Sequence, residues 1–464
     1  MNNNRPDLSR ALRSALQEII APFRDFIHAP RALWGVNIPY FLEGLVYFGI
    51  LTVLTKFLSE NVGLGDITGG WVVGTFTGLI TGTMFLLGGT ADRWGVRKAI
   101  IISLTLILLG RIMLSLGELM HLGNGLFGPL FNLSCAGLFI VAIGYGMYQP
   151  AAYAGVRQFT NEKTAAMGYA MVYALMNLGA FGSGIISPII RLISKNAFPP
   201  NGITGVFWTY VVITGLALML TFVLLTPKTV RASTATKLVS VTSPVSEKPP
   251  PFFSKRWFNE HPLTDLRFTF FIFILIPVQT LFAHNWLTLP LYIERAYAGN
   301  ANWVSQNFEF FGNLNPLLIF ILTPLVAALT AKVPVFKMMI IGTLIMAAPT
   351  FLLCLGPKPW VLFIYIFTMS VGEALWQPRF LQYASEIAPE GRVGMYQGVA
   401  QLPWFLTKLV TAVYSGWFLK HYCPATGPKH TEAMWFIYGL IALVSPIGLY
   451  LARGWVGRSI NTKQ

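Results

Sequence analysis

Apolar runs of about twenty residues recur along the whole chain, and this constrains its fold more than any other feature. A run of that length crosses the hydrocarbon core of a bilayer as an α-helix, because a helix is the open-chain form that satisfies every backbone N–H and C=O internally. Twelve such runs are predicted, near 34–57, 68–91, 98–118, 130–155, 165–192, 205–226, 266–293, 308–331, 336–356, 359–385, 393–419 and 433–452. The 43 glycines and 29 prolines do not oppose this, since membrane helices tolerate both. Only 11% of residues are charged, too few to cover the surface of a soluble protein of 464 residues.

The segment 227–265 between the sixth and seventh runs is polar, basic and rich in Pro and Ser, and reads as a linker. The predicted organisation is an amphipathic segment over 1–33, a six-helix bundle over 34–226, the linker, a second six-helix bundle over 266–453 and a tail over 454–464. Six plus six with a long middle linker is the layout of transporters built from two bundles. Lys and Arg favour the tails, the linker and the loops on its side by about three to one, which puts both termini and the linker in the cytoplasm. The same bias accounts for the net charge of +15 without nucleic acid as a partner. The expected partners are the lipid bilayer and a small-molecule substrate, with the protein a monomer in the cytoplasmic (inner) membrane. The first thirty residues lack an apolar core before a small-residue cleavage site, so no cleavable signal is expected. Cys135 and Cys354 fall in apolar runs and Cys423 in a loop, a pattern that is neither a disulfide framework nor a metal spacing. No phosphate-binding G-x-x-x-x-G-K-[ST] loop and no Ser/His/Asp cluster points to a pump or an enzyme.

Between the second and third runs stands Gly88-Gly-Thr-Ala-Asp92-Arg93-Trp-Gly95-Val-Arg97-Lys98. A tight turn there uses Gly95 for a backbone conformation other residues disfavour. Asp92 is suited to the positive N-terminus of a neighbouring helix, and Arg93 and Arg97 to acidic partners. The stretch resembles the G-x-x-x-D-R-x-G-R-K signature of the major facilitator superfamily. That resemblance implies an all-α membrane protein of the major facilitator fold, twelve transmembrane helices in two six-helix bundles. It also implies a gate that forms when the cytoplasmic side shuts. Gly70, Gly74, Gly78 and Gly82 line one face of the second run, where backbones can approach closely or slide.

Ionisable residues inside spans are costly and usually functional. Tyr40, Glu43 and Tyr47 share a face of span one. Tyr145, Gln149 and Tyr153 share one in span four, and Tyr169, Tyr173 and Asn177 in span five. Span seven carries His284, Asn285 and Trp286; span eight Glu309, Asn313 and Asn315; span ten Glu373, Trp376 and Gln377. These residues are expected to line a wet, aromatic substrate cavity. Glu43, Glu373 and His284 are the expected proton-coupling groups, with protons as coupling ion and no other cofactor. A carboxyl kept from water and without a cation exchanges a proton near neutral pH.

Asn313-Leu-Asn315-Pro316, Gly372-Glu373 with Pro378, Met176-Asn177-Leu-Gly179 and Gly144-Tyr-Gly146…Pro150 are similar to stretches of the proton-dependent oligopeptide transporter family. The departures are specific. That family's span-one E-x-x-E-R-F-x-Y stands here as Tyr40-Phe-Leu-Glu43-Gly44-Leu45-Val46-Tyr47, and its span-four Lys is Gln149. The cations that hold a peptide's carboxylate in the family are thus absent, while Glu373 survives at the position that faces the peptide's amino group. The expectation is a neutral or cationic solute, and a Glu43 left without a cation beside it. Arg379, Lys408 and Arg111 are the remaining span cations that could substitute. Proton-coupled uptake of a peptide-like or other small organic solute, proton-antiport export, and a non-transporting receptor or scaffold all remain open at this point.

Overall fold

The computed structural model describes residues 29–464 apart from 162–163, 239–253, 300, 307, 331, 390, 425 and 457–464. Most of the predicted N-terminal surface segment and residues 239–253 of the linker therefore lie outside the described residues, while the rest of the linker includes the helices Pro227–Leu238 and Lys255–Asn259.

The first half holds α1 (Arg31–Lys56), α2 (Gly65–Leu87), α3 (Val96–Leu119), α4 (Pro129–Phe159), α5 (Ala165–Ser194) and α6 (Ile203–Leu224). In the second half α7 is broken into Leu266–Phe273, Ile276–Leu287 and Leu289–Ala296. Pro277 and Pro290 stand at the starts of its later pieces, where the missing N–H costs least. Then come α8 (Phe308–Leu329), α9 (Val335–Ala347, tightening to a 3₁₀ turn over Ala348–Leu355), α10 (Pro359–Ile387), α11 and α12 (Thr431–Val456). A break at Gln401 divides α11 into Val393–Ala400 and Leu402–Tyr422. Among the described residues nine of these helices are long and apolar enough to cross a membrane. The shorter apolar stretches Trp71–Leu87 and Leu314–Leu329 lie in α2 and α8.

Within the first half α3 packs on α4 and α1 lies against α5 and α6; within the second, α9 packs on α10 and α7 on α11 and α12. Large apolar side chains such as Ile189, Leu192, Val413 and Leu451 remain exposed on the outer faces. In a membrane protein that surface belongs to lipid.

The halves meet along α5 with α8 and α10, and where α2 and α4 touch α11. Among the described residues the hydrogen bonds that cross between halves run from Asp92, at the linker side, up to Tyr173 and Glu373. The structure is therefore the arrangement in which the linker side is shut.

Candidate functional site

The shut end is built on the Asp92 loop. Gly95 takes φ +80°, the left-handed region that favours glycine, and turns the short helix Thr90–Trp94 into α3. The Asp92 carboxylate accepts the backbone N–H of Gly394 at 2.9 Å and of Met395 at 3.0 Å, capping the start of α11 in the other half. This is the helix N-terminus that the sequence anticipated for it. Burial pushes Asp92 up to about 7, against those two N–H bonds and the nearby charges of Arg93 and Arg392. Arg97 does not bridge to an acid as expected; its Nε donates to the Leu225 carbonyl at 2.5 Å and ties α3 to the end of α6. Lys98 is exposed. Gly88 lets the helices touch: a Cβ there would stand 2.9 Å from the Gly394 carbonyl and 3.0 Å from the Gly398 Cα. Gly394 and Gly398 were not read from sequence, because their role depends on a contact with the other half.

Above this seal the Tyr169 hydroxyl donates to Ser385 at 2.6 Å, joining α5 to α10. One turn further, Tyr173 donates to Glu373 Oε1 at 2.5 Å. Asn315 donates to Glu373 Oε2 at 2.9 Å and to Ser370 at 3.0 Å. Glu373 is 1% exposed, and no cation pairs with it among the described residues. Its carboxyl thus joins the two halves through Tyr173, in the apolar company of Ile319 and Ala374.

Glu43 is equally buried but lies elsewhere, inside the first half. Contrary to the expectation that it lacks a cation, Arg111 on α3 donates to its Oε1 at 2.9 Å. Arg111 also donates to Tyr145 at 2.6 Å and to Thr214, and Tyr145 donates to Glu43 Oε2 at 3.0 Å. The span-one Arg that the family carries is replaced by one from α3. No local spacing in the sequence announces a pair 68 residues apart.

The other expected cavity residues divide. Tyr40 bonds Tyr153 at 2.8 Å across α1 and α4, while Tyr47 meets the Tyr145 ring edge-on at 5.0 Å. Gln149 is half-buried, and Asn177 donates to the Tyr173 carbonyl at 3.0 Å. Asn285 is buried with neither end of its amide bonded among the described residues, and the Gln377 oxygen is likewise unbonded. The side chains of Trp286, Glu309 and Asn313 lie outside the described residues. Two of the expected residues lie away from the seam. His284 is fully buried within the second half, its ring 3.8 Å from the Tyr438 ring, with Thr288 at Nδ1 (2.7 Å) and Tyr414 at Nε2 (3.0 Å). Trp376 packs against Gly342 of α9 and donates its indole N–H to Met346 Sδ at 3.1 Å. Both fill helix contacts inside one half, which their polar atoms disguised in the sequence.

Two six-helix halves with a polar seam between them, sealed at one end by a loop-to-helix cap, define a multi-pass membrane transporter rather than an enzyme. The chain belongs to the Major Facilitator Superfamily, whose profile matches residues 37–297, more than half of it. Solute carrier family 15 member 2 of Rattus norvegicus is 31% identical over 166 residues, 35% of this chain and 22% of that protein. Peptide transporter family 1 of Caenorhabditis elegans is 29% identical over 180 residues, 38% of this chain and 21% of that protein. The matches thus span about a fifth of each relative's length. The fold is shared with the proton:xylose symporter XylE (TM-score 0.62, 13% identity, covering 91% of this chain and 96% of that one). It is shared also with a human organic anion transporter, TETRAN (TM-score 0.60, 14% identity, covering 90% and 99%).

Proposed function

We propose that the protein takes up a peptide-like or other small organic solute together with protons, by alternating access between its halves, in the cytoplasmic membrane with both termini and the linker inside. The observation that carries this is the Glu373 carboxyl, bound across the seam by Tyr173 and unpaired by any cation among the described residues. A carboxylate at that point accepts from both donors. Once protonated it no longer needs two donors, so the bond that crosses the seam weakens. Proton binding and seam opening are then one event, which is what coupling requires. Glu43, held by Arg111, has a supporting part, and Tyr40, Tyr47, Gln149 and Asn177 are the remaining substrate-contact candidates. The partial likeness to peptide transporters supports a peptide-like solute.

The test uses the full chain in proteoliposomes with an inward proton gradient and labelled alanyl-alanine alongside a panel of small organic solutes. The expected result is gradient-driven accumulation in the wild type. Glu373→Gln should abolish accumulation while still exchanging labelled for unlabelled solute. Net efflux against the gradient identifies a proton antiporter instead. A wild type that moves no solute in either direction overturns the proposal in favour of a receptor or scaffold.

A further inference from the structure

The chain places three cations in the middle of its spans: Arg111, Arg379 and Lys408. Two are engaged within their own halves. Arg111 is buried against Glu43, Tyr145 and Thr214. Arg379 is buried, donating to the Thr330 carbonyl at 2.7 Å and to Gln382 at 2.8 Å. Lys408 on α11 is exposed, and no hydrogen bond or ion pair holds its ammonium among the described residues.

The helix period shows which edge of α11 carries Lys408. The outer face of α11 is marked by Leu409, Val413 and Trp417, each at least half exposed. At 100° per residue the centre of that face lies about 140° from Lys408. Lys408 instead stands one turn above Trp404 and Phe405. The Trp404 ring packs on Phe282 of α7 at 4.7 Å. The Phe405 ring presses on α2 of the other half, 3.2 Å from where a Gly78 Cβ would stand. Lys408 thus lies on the edge of α11 that faces the first half, one turn beyond the Phe405 contact with α2. On α2 the residue one turn beyond that contact is Gly74, and a Cβ there would find no atom within 4 Å. That edge borders the seam between α2 and α11, on the side away from the Asp92 seal.

A lysine kept in a membrane interior without a carboxylate partner is costly unless something anionic visits it. We propose that Lys408 is a substrate-binding residue that pairs with a carboxylate of the transported solute, so that the substrate class is small organic acids or zwitterions. This rests on the reading of the protein as a transporter of small organic solutes. It replaces the expectation of a neutral or cationic solute, which followed from the cations missing at Gly44 and Gln149. Charge-assisted hydrogen bonds to a carboxylate suit an ammonium that is free to turn.

The test has two arms on the full-length chain. First, Lys408→Cys, in a background with the three native cysteines replaced by serine, is exposed in membranes to a charged, impermeant thiol reagent from the side opposite the linker. Labelling is expected; none, with the protein folded, places the residue in lipid or packed protein and overturns the proposal. Second, thermal shift of purified protein compares acid–amide pairs: alanyl-alanine with its C-terminal amide, lactate with lactamide, benzoate with benzamide. An acid should stabilise the wild type more than its amide does. Lys408→Gln should weaken the acid about ten- to a hundredfold and leave the amide unmoved, the loss expected for one charge-assisted bond. Lys408→Arg, which keeps the charge, should retain the preference for the acid. Acids no better than amides in every pair, or a preference that survives Lys408→Gln, overturns the assignment. Equal binding by both members of the peptide pair, with no preference in the other two pairs, leaves the peptide-like reading standing and Lys408 without this role. A preference shown by lactate or benzoate, with neither member of the peptide pair bound, keeps Lys408 and discards the peptide-like reading.

Discussion

Glu43 and Glu373 are each 1% exposed in a membrane-embedded helix, yet they solve the problem of a buried carboxyl in opposite ways. Glu43 has a cation and a phenol from its own half, so every group that holds it moves with it. Glu373 has no cation, and one of its two donors belongs to the other half. A charge fully paired inside one rigid body contributes to that body's integrity and has little reason to change state when the bodies move. A carboxyl shared across the seam must change its bonding whenever the seam opens. Burial is identical at the two sites, so the ownership of the partners is what separates them, and on the proposed function it assigns coupling to Glu373 rather than to Glu43.

That contrast is most directly broken at Arg111. Arg111→Gln leaves Glu43 buried without its cation, and removing one partner of a buried pair costs about 3–5 kcal/mol. A fall of that size in stability of the purified protein is expected. Glu43→Gln together with Arg111→Gln should recover part of it, since neither charge is then stranded. Glu373→Gln strands no opposite charge and should shift stability far less. A melting temperature that falls as much for Glu373→Gln as for Arg111→Gln would erase the distinction between the two glutamates.

The seal at the linker side sharpens the comparison, because it also joins the halves but through a carboxylate and two backbone N–H groups. Asp92→Ala removes both bonds and should favour the linker-open state by about tenfold or more, read as faster labelling of a cysteine placed on the linker side. Acid acts in the other direction. In the shut state burial pushes Asp92 up to about 7, whereas in the open state, in water, it returns to the ordinary range near ~4. The shut state then binds the proton that the open state has lost, so lowering the pH from 8 toward 4 should increase the shut population at this site. Asp92→Asn, read in a Glu373→Gln background, should flatten that dependence. A slope that persists unchanged assigns it to another group.

The fold was legible because lipid leaves few alternatives. The twelve apolar runs and the observed helices agree to within four residues at either end, as expected where every backbone group must be paired within its own helix. The Asp92 loop was legible too, since turn, charge and location stand together in eleven residues. What sequence could not show was who faces whom. Arg111 reads as an isolated cation until α1 and α3 are set side by side. Gly394 and Gly398 read as ordinary small residues until Gly88 lies against them. The glycine stripe of α2 gave one close contact, Gly78 on Phe405, and open space at Gly74 and Gly82. The surroundings of Gly70 lie outside the described residues.

His284 supplies the smallest expected effect and the cleanest control. Its sequence signature matched that of Glu373: an ionisable group in the middle of a span, among polar neighbours. The structure gives it the Glu43 solution, with partners from its own half alone. Both ring nitrogens are bonded within the second half, and Tyr438 covers one face of the ring. A group so held has no bond that changes when the seam opens. His284→Gln keeps polar atoms that can reach Thr288 or Tyr414, and should cost about 1 kcal/mol of stability, the net worth of one neutral hydrogen bond. The pH dependence of transport should be unmoved, while Glu373→Gln removes the part that Glu373 carries. A shift of the pH profile in His284→Gln comparable to that in Glu373→Gln would mean that bonding across the seam is not what selects the coupling residue.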